Sequence, residues 1–125
     1  MLDRLDLQIE VPALASEELL AASPGEPSAD VRARVVAARA VQSARGGLNA
    51  QLPHRGLREH AALDAAGRRL AAEAVDRGGM SARAVHRALR VARTIADLGC
   101  KPRVEALHLA EALQYRAYEA RRGPA

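Results

Sequence analysis

The residues best suited to chemistry in this sequence are arginines, and Arg83 stands apart by its position. It follows Ser81 by two residues, at the start of a long helical pattern. The first turn of a helix favours anions, because its backbone N–H groups are unpaired and the helix dipole is positive there. A guanidinium adds a fork of donors that matches phosphate oxygens. The sequence therefore predicts an anion-binding role for Arg83.

Arg4 is the second arginine with an unusual setting. It immediately precedes residues 5–11, in which apolar and polar residues alternate strictly. That alternation predicts a half-buried strand, which Pro12 ends. No other stretch of the chain has the pattern of a partner strand, so we expect this one to be vestigial and poorly ordered. An orphan strand is also what a piece cut from a longer protein would contain.

Other kinds of catalytic or metal site are not indicated. Cys100 is the single cysteine, so an internal disulfide is excluded and no partner would activate a thiol. The chain has two glycine pairs, Gly46-Gly47 and Gly78-Gly79. Neither is followed by the Lys-Ser or Lys-Thr of a phosphate-binding loop. The histidines lack the close pairing of metal ligands, so no metal site is expected. They are His54, His60, His86 and His108, and we expect the last two on helix surfaces or in grooves.

Composition bounds the partners and the compartment. The net charge of +4 is mildly basic, which permits a nucleotide or nucleic-acid partner without requiring one. Hydrophobic residues make up 49% of the chain but aromatic residues only 2%, so the core must be built from small side chains. No apolar run approaches the length of a membrane span, and no signal peptide opens the chain. We therefore expect a cytoplasmic protein with no membrane partner.

Helical periodicity predicts an all-α, four-to-five-helix bundle, in which four main helices are accompanied by short helical segments. Apolar residues cover more than half the surface of the longest helix, residues 81–98, so it should run through the middle of the bundle. Asp64 and Ser81 have the side chains of N-caps, and the glycine pairs at 46–47 and 78–79 are typical helix stops. Further helices are predicted over residues 16–20, 28–45, 55–60, 64–77 and 104–118, followed by a disordered tail over residues 121–125.

The helix over residues 28–45 is predicted to turn Val31, Val35 and Ala38 inward. Its arginines then point outward, and others project from the central helix. Such arginine rows permit a free-standing helical module that binds DNA, although interspersed carboxylates favour ordinary solvated faces. A third alternative is an interaction domain whose apolar helix faces dock on another protein segment. The arginines concerned are Arg32, Arg34, Arg39 and Arg45 on one helix, and Arg87, Arg90 and Arg93 on the other.

Four segments of the sequence together resemble one known family. They read LDRLDLQIEVP, LNAQLP, SARAVHRALRVARTIADL and HLAEALQYR, and they span nearly the whole chain. They are similar to the C-terminal part of the magnesium-chelatase-like AAA+ ATPases, and most similar to the ComM/YifB subfamily. The resemblance implies that residues 13–120 form the helical lid of such an ATPase. Residues 1–12 would then be a remnant of its core, containing the last strand and the arginine-finger motif.

The same resemblance implies partners, cofactors and residue roles. Family members form hexameric rings that bind ATP between neighbouring subunits, and the subfamily is associated with DNA processing in natural transformation, as helicase-like branch-migration motors. Arg4 would be the arginine finger that reaches the γ-phosphate of the adjacent subunit. Arg83 would be the sensor-2 arginine that contacts nucleotide in its own subunit. ATP and Mg²⁺ are implied for the full-length protein, whereas this stretch lacks Walker A and Walker B motifs and should bind neither tightly.

Overall fold

The computed structural model describes residues 5–21 and 25–116, and the regular elements in that part of the chain are all helical. This confirms the predicted all-α bundle. Arg4, Tyr118 and the tail at residues 121–125 lie outside the described residues. The elements are α1 (Ser16–Ala21), α2 (Ser28–Arg45), a 3₁₀ turn (Asn49–Gln51), α3 (His54–His60), α4 (Ala65–Asp76), α5 (Ala82–Leu98) and α6 (Ala106–Gln114).

The predicted caps and stops define the helix ends. The Ser81 hydroxyl accepts a hydrogen bond of 3.1 Å from the Ala84 N–H at the start of α5. The Asp64 carboxylate accepts one of 2.8 Å from the Gly67 N–H at the start of α4. Gly46 ends α2 with a φ of 117°, a left-handed conformation that glycine adopts without steric cost. Helix boundaries in this region therefore follow directly from local sequence.

Helix α5 occupies the centre of the bundle, as predicted. It contacts α2, the 3₁₀ turn, α3, α4 and α6. Ala88, Ala92 and Ala96 recur at every fourth residue and are fully or almost fully buried. Because their side chains are small, neighbouring helices can approach the α5 backbone closely. The rest of the buried apolar core consists of Leu57, Ala61, Val104, Leu109 and Ala112.

A polar cluster anchors the C-terminal half of α5 inside this core. Asp97 is only 4% exposed, and Arg93, one turn earlier, is 1% exposed. The Arg45 guanidinium donates to both carboxylate oxygens of Asp97, at 2.5 and 2.9 Å. The Asn49 side-chain amide donates to the same carboxylate at 2.9 Å. The Asp97 carboxylate thereby joins α2, the 3₁₀ turn and α5.

Arg93 extends this cluster to the other side of the bundle. It pairs with Asp97 at 2.9 Å. It also donates to three backbone carbonyl groups, those of His60, Lys101 and Pro102, at 2.9, 2.7 and 3.1 Å. One side chain thus holds the end of α3 and the loop before α6 against α5. The prediction that Arg93 and Arg45 project into solvent is wrong, because both pair with a buried carboxylate.

The N-terminal segment, residues 5–11, forms no strand in the structure, so the predicted vestigial strand is wrong here. A strand needs a second extended segment beside it, and the described residues provide a helix end instead. The Gln8 N–H donates to the carbonyl oxygen of Tyr115, just after α6, at 2.8 Å. The Arg116 guanidinium donates to the Leu5 carbonyl at 3.3 Å. The segment is therefore attached to the bundle by polar contacts.

Helix α2 also differs from the prediction. Ala38 is buried, but Val31 and Val35 remain 40% and 41% exposed. The buried residues of α2 are Ala38 and Gln42, so the helix contacts the bundle through its C-terminal half. Within residues 5–21 and 25–116, no helix combines the length and apolar character needed to cross a bilayer.

Replacing Asp97 by alanine should remove a large part of the free energy of unfolding. The substitution leaves the Arg93 and Arg45 guanidinium groups without their carboxylate, and unpairing a buried ion pair costs about 3–5 kcal/mol. Urea denaturation followed by circular dichroism measures the loss. Asp76→Ala, at the exposed end of α4, is the matched control and should change stability by less than about 0.5 kcal/mol. Equal effects of the two substitutions would contradict the anchoring role of Asp97.

Stability should also depend on the ionisation of Asp97 at acid pH. Burial alone would raise the pKa of Asp97, but hydrogen bonds from Arg45 and Asn49 and the charge of Arg93 outweigh it and lower the pKa from the ordinary value of an aspartate. A carboxyl group with a lowered folded-state pKa stabilises fully above its unfolded pKa and loses that contribution as pH falls through the folded value. Below about pH 4 the wild-type chain should therefore lose stability more steeply than Asp97→Asn. Equal losses in the free energy of unfolding of the wild-type chain and Asp97→Asn between pH 7 and pH 3 would refute this.

Candidate anion-binding site

Arg83 is the second residue of α5 and lies on the exposed surface of the bundle. The Ser81 cap fixes the start of the helix just before it. Arg83 therefore belongs to the first turn of α5, where the helix dipole is positive and backbone N–H groups other than that of Ala84 lack an intrahelical acceptor. The predicted position of Arg83 in the first turn of a helix capped by Ser81 is confirmed, whereas its anion-binding role stays a prediction.

A shallow pocket surrounds Arg83, and we call it the α5 pocket. It lies between the N-terminal half of α5 and the start of α3. None of its lining side chains is a carboxylate, and five of them carry or can acquire positive charge. The lining residues are Ala50, His54, Ala82, Arg83, His86, Arg87 and Arg90. Such a charge distribution favours a ligand with several negative charges.

Two of these side chains are held by contacts from other elements. The Arg90 Nε–H donates to the Leu52 carbonyl, just after the 3₁₀ turn, at 2.9 Å. The Arg87 Nε–H donates to an Asp6 carboxylate oxygen at 2.6 Å. These contacts orient the guanidinium groups along one side of the pocket, so an arriving anion meets arginines whose side-chain entropy is already reduced.

His54 and His86 contact each other at the rim of the α5 pocket. Their ring centroids are 4.0 Å apart and their planes are inclined by 77°, an edge-to-face arrangement. Burial lowers the pKa of His86, and the nearby positive charges of His54 and Arg90 lower it further. A bound anion would offset that repulsion, because a negative charge stabilises the protonated ring.

Other residues considered from sequence do not form a second site. His108 is buried rather than exposed. Its Nδ1 accepts a hydrogen bond of 2.9 Å from the Glu105 N–H at the start of α6. Cys100 is exposed. Within the described residues, no group of three or more His, Cys, Asp or Glu side chains could hold a metal ion.

The arginine row on α2 is interrupted by ion pairs. Arg34 pairs with the exposed Glu26, and Arg45 is committed to the buried Asp97. With Arg93 paired with Asp97 and Arg87 paired with Asp6, four of the seven arginines considered for DNA binding have carboxylate partners in the fold. This weakens the interpretation of the chain as a free-standing DNA-binding module.

Sequence reasoning missed three contacts made by residues of α5. The spacing of Arg93 and Asp97, four residues apart on an otherwise apolar face, was a signal for an internal ion pair. The contact of His54 with His86 had no such signal, because it depends on the path of the chain between the 3₁₀ turn and α3. The contact of Asp6 with Arg87 had no sequence signal either, because the two residues are 81 positions apart.

Comparison with known proteins gives the family indicated by the sequence motifs. The family described as "Magnesium chelatase, subunit ChlI C-terminal" matches residues 25–116. The competence protein ComM of Haemophilus influenzae is 42% identical over 118 residues, which is 93% of this chain and 23% of that protein. The uncharacterized protein YifB of Salmonella typhimurium is 40% identical over 121 residues, which is 94% of this chain and 24% of that protein. YifB of Escherichia coli gives the same identity and coverage.

The chain thus spans about a quarter of the length of the curated relatives it matches. The family match covers α2 to α6, the elements that build the core and the α5 pocket. The chain therefore belongs to the magnesium chelatase ChlI C-terminal family, and it corresponds to the C-terminal lid region of the ComM/YifB subfamily of magnesium-chelatase-like AAA+ proteins.

Proposed function

We propose that this chain is the nucleotide-sensing lid of a ComM-type AAA+ ATPase. Arg83 acts as its sensor-2 residue and contacts the phosphates of ATP held by the core of the same subunit. The observation that carries the proposal is the α5 pocket, whose lining residues include Arg83, Arg87 and Arg90. Phosphate oxygens are the ligand chemistry that such donors bind best.

The residues present fit the phosphate part of a nucleotide and not its metal ion. The α5 pocket supplies guanidinium and imidazole donors, which pair with phosphate oxygens. Mg²⁺ requires oxygen ligands, chiefly carboxylates, and these would come from the core rather than from the described residues. ATP and Mg²⁺ are thus proposed cofactors of the longer protein, in which Mg²⁺ neutralises the phosphates during transfer.

The charge of Arg83 would act at the phosphates as transfer proceeds. Negative charge shifts between phosphate oxygens in the transition state, and a fixed guanidinium stabilises it without reorganisation. Because α5 packs in the bundle and is anchored by Arg93 and Asp97, the backbone at Arg83 would move together with the lid. This gives a physical route from nucleotide state to lid angle.

The wider assembly is also part of the proposal. We infer a hexameric ring in which Arg4 reaches ATP bound to the neighbouring subunit and acts as the arginine finger. The ring would process DNA as a helicase-like branch-migration motor. Support for this comes from the motif resemblance at Arg4 and from the similarity to a protein named for competence.

A docking role is compatible with the lid and is favoured by the surface of α2. Val31, Val35, Val36 and Val41 are between 40% and 56% exposed on this one helix. Val31 and Val35 lie one turn apart, so they share a face. We propose that this face contacts the AAA+ core of the same chain or a neighbouring subunit. Exposed apolar side chains that share a helix face are a candidate contact surface for a partner.

Replacing Arg83 by alanine in a longer ComM-type protein that contains this region should lower ATP turnover about 10²-fold. The loss follows because one preorganised donor to the phosphates disappears. Arg83→Lys keeps the positive charge but loses the paired N–H donors of the guanidinium. Its turnover should therefore lie between that of the wild-type protein and that of Arg83→Ala. Arg103→Ala, an exposed arginine in the loop before α6, is the matched control and should retain wild-type turnover. Unchanged turnover in Arg83→Ala, with intact rings, would remove the sensor-2 role.

The role of Arg4 can be tested by mixing subunits. Rings of Arg4→Ala subunits should lack turnover, and so should rings whose ATP site is blocked by a Walker A substitution. A mixture of the two should recover part of the activity, because an intact Arg4 from one subunit can then serve an intact ATP site in its neighbour. Mixed rings without recovered turnover would argue against action between subunits.

A further inference from the structure

Arg87 belongs to two parts of the molecule at once. It lines the α5 pocket beside Arg83 and Arg90. Its Nε–H also donates to an Asp6 carboxylate oxygen, at 2.6 Å, across 81 positions of sequence. The Arg87 side chain is 16% exposed, whereas that of Asp6 is 41% exposed. The guanidinium is therefore confined by the bundle, while the carboxylate has room to withdraw into water.

The Asp6 carboxylate has the same chemistry as the ligand proposed for this pocket. Carboxylate and phosphate oxygens both accept charge-assisted hydrogen bonds from guanidinium N–H groups, with similar geometry. A single carboxylate brings one negative charge to a pocket lined by Arg83, Arg87, Arg90 and two histidines. A polyphosphate brings several, so it gains more from the same surroundings.

The N-terminal segment can give up the Asp6 contact without unfolding the core. The segment is also attached through the Gln8 N–H and the Leu5 carbonyl, and both contacts are made near the end of α6. Leu7 and Ile9 are 53% and 67% exposed, so they bury little apolar surface. Exchange of Asp6 for another anion would therefore break a partly exposed ion pair and leave these two contacts in place.

We propose that Asp6 competes with a bound polyphosphate for the Arg87 guanidinium, so that occupation of the α5 pocket displaces Asp6 from Arg87. This inference rests on the proposed function for the class of ligand. It adds a regulatory link, because residue 6 lies two positions after Arg4. Binding of phosphates in the pocket of one subunit would thereby loosen the segment that carries the arginine proposed to act on the next subunit.

The test measures the affinity of tripolyphosphate for the 125-residue chain by NMR titration at constant ionic strength, without metal. Asp6→Asn removes the competing charge, and Asp6→Ala also removes the hydrogen-bond acceptor. Both substitutions should tighten binding by about two- to fivefold, the range expected for a partly exposed ion pair. Asp76→Asn makes the same change in net charge at the end of α4, away from the pocket, and should alter affinity by less than about 1.5-fold. Thermal unfolding of each variant checks that the bundle is retained.

Equal affinities of the Asp6 and Asp76 variants would overturn the competition. So would the absence of tripolyphosphate binding to both the wild-type chain and Asp6→Ala at about 10 mM. These results are distinguishable from failure of the proposed function, which shows as unchanged ATP turnover in Arg83→Ala of the longer protein. A turnover defect in Arg83→Ala together with equal tripolyphosphate affinities would leave the lid role intact and reject the part assigned to Asp6.

Discussion

The ion pair between Arg93 and Asp97 is the constraint on which the rest of this structure depends. A core assembled from alanine, leucine and valine side chains has little shape of its own, since small residues fit one another in several registers. Hydrogen bonds are directional, so the Arg93 guanidinium and the Asp97 carboxylate fix how α2, α3, α5 and the loop before α6 meet. We infer that this polar centre specifies one arrangement of the helices, whereas the alanine contacts supply the apolar packing of the core.

The polar centre and the α5 pocket occupy opposite halves of one helix. Asp97 and Arg93 lie near the C-terminal end of α5, where they are buried, and Arg83 lies in its exposed first turn. Arginine therefore occupies two different environments within 11 positions of sequence, from residue 83 to residue 93. Arg93 is buried beside a carboxylate and is structural. Arg83 is exposed at the helix start, and we propose that it binds an anion.

Local sequence predicted most helix boundaries, because they depend on neighbouring residues. The Ser81 and Asp64 caps and the glycine stop after α2 are interactions within a few positions of the chain. The exposure of Val31 could not be predicted, since amphipathic spacing identifies an apolar face without showing what covers it. The partners of Arg87 and Arg45 lie 81 and 52 positions away, and no local pattern encodes such pairs. For the candidate site, sequence predicted Arg83 and its helix start but not the two histidines or Asp6.

Helix α5 is packed against five other elements and is fixed to them by the polar centre, so it moves only together with the bundle. Arg83 precedes Arg93 by ten residues, which is about 15 Å along a helix axis. A rotation of the bundle by about 10° about the Arg93 end of α5 would displace the Arg83 guanidinium by roughly 2.6 Å. That distance separates a formed hydrogen bond from a broken one. Small rotations of the rigid bundle would thus make or break single hydrogen bonds of the Arg83 guanidinium. Because the polar centre holds the helices together, such a rotation would be transmitted to Arg83 with little loss to internal motion.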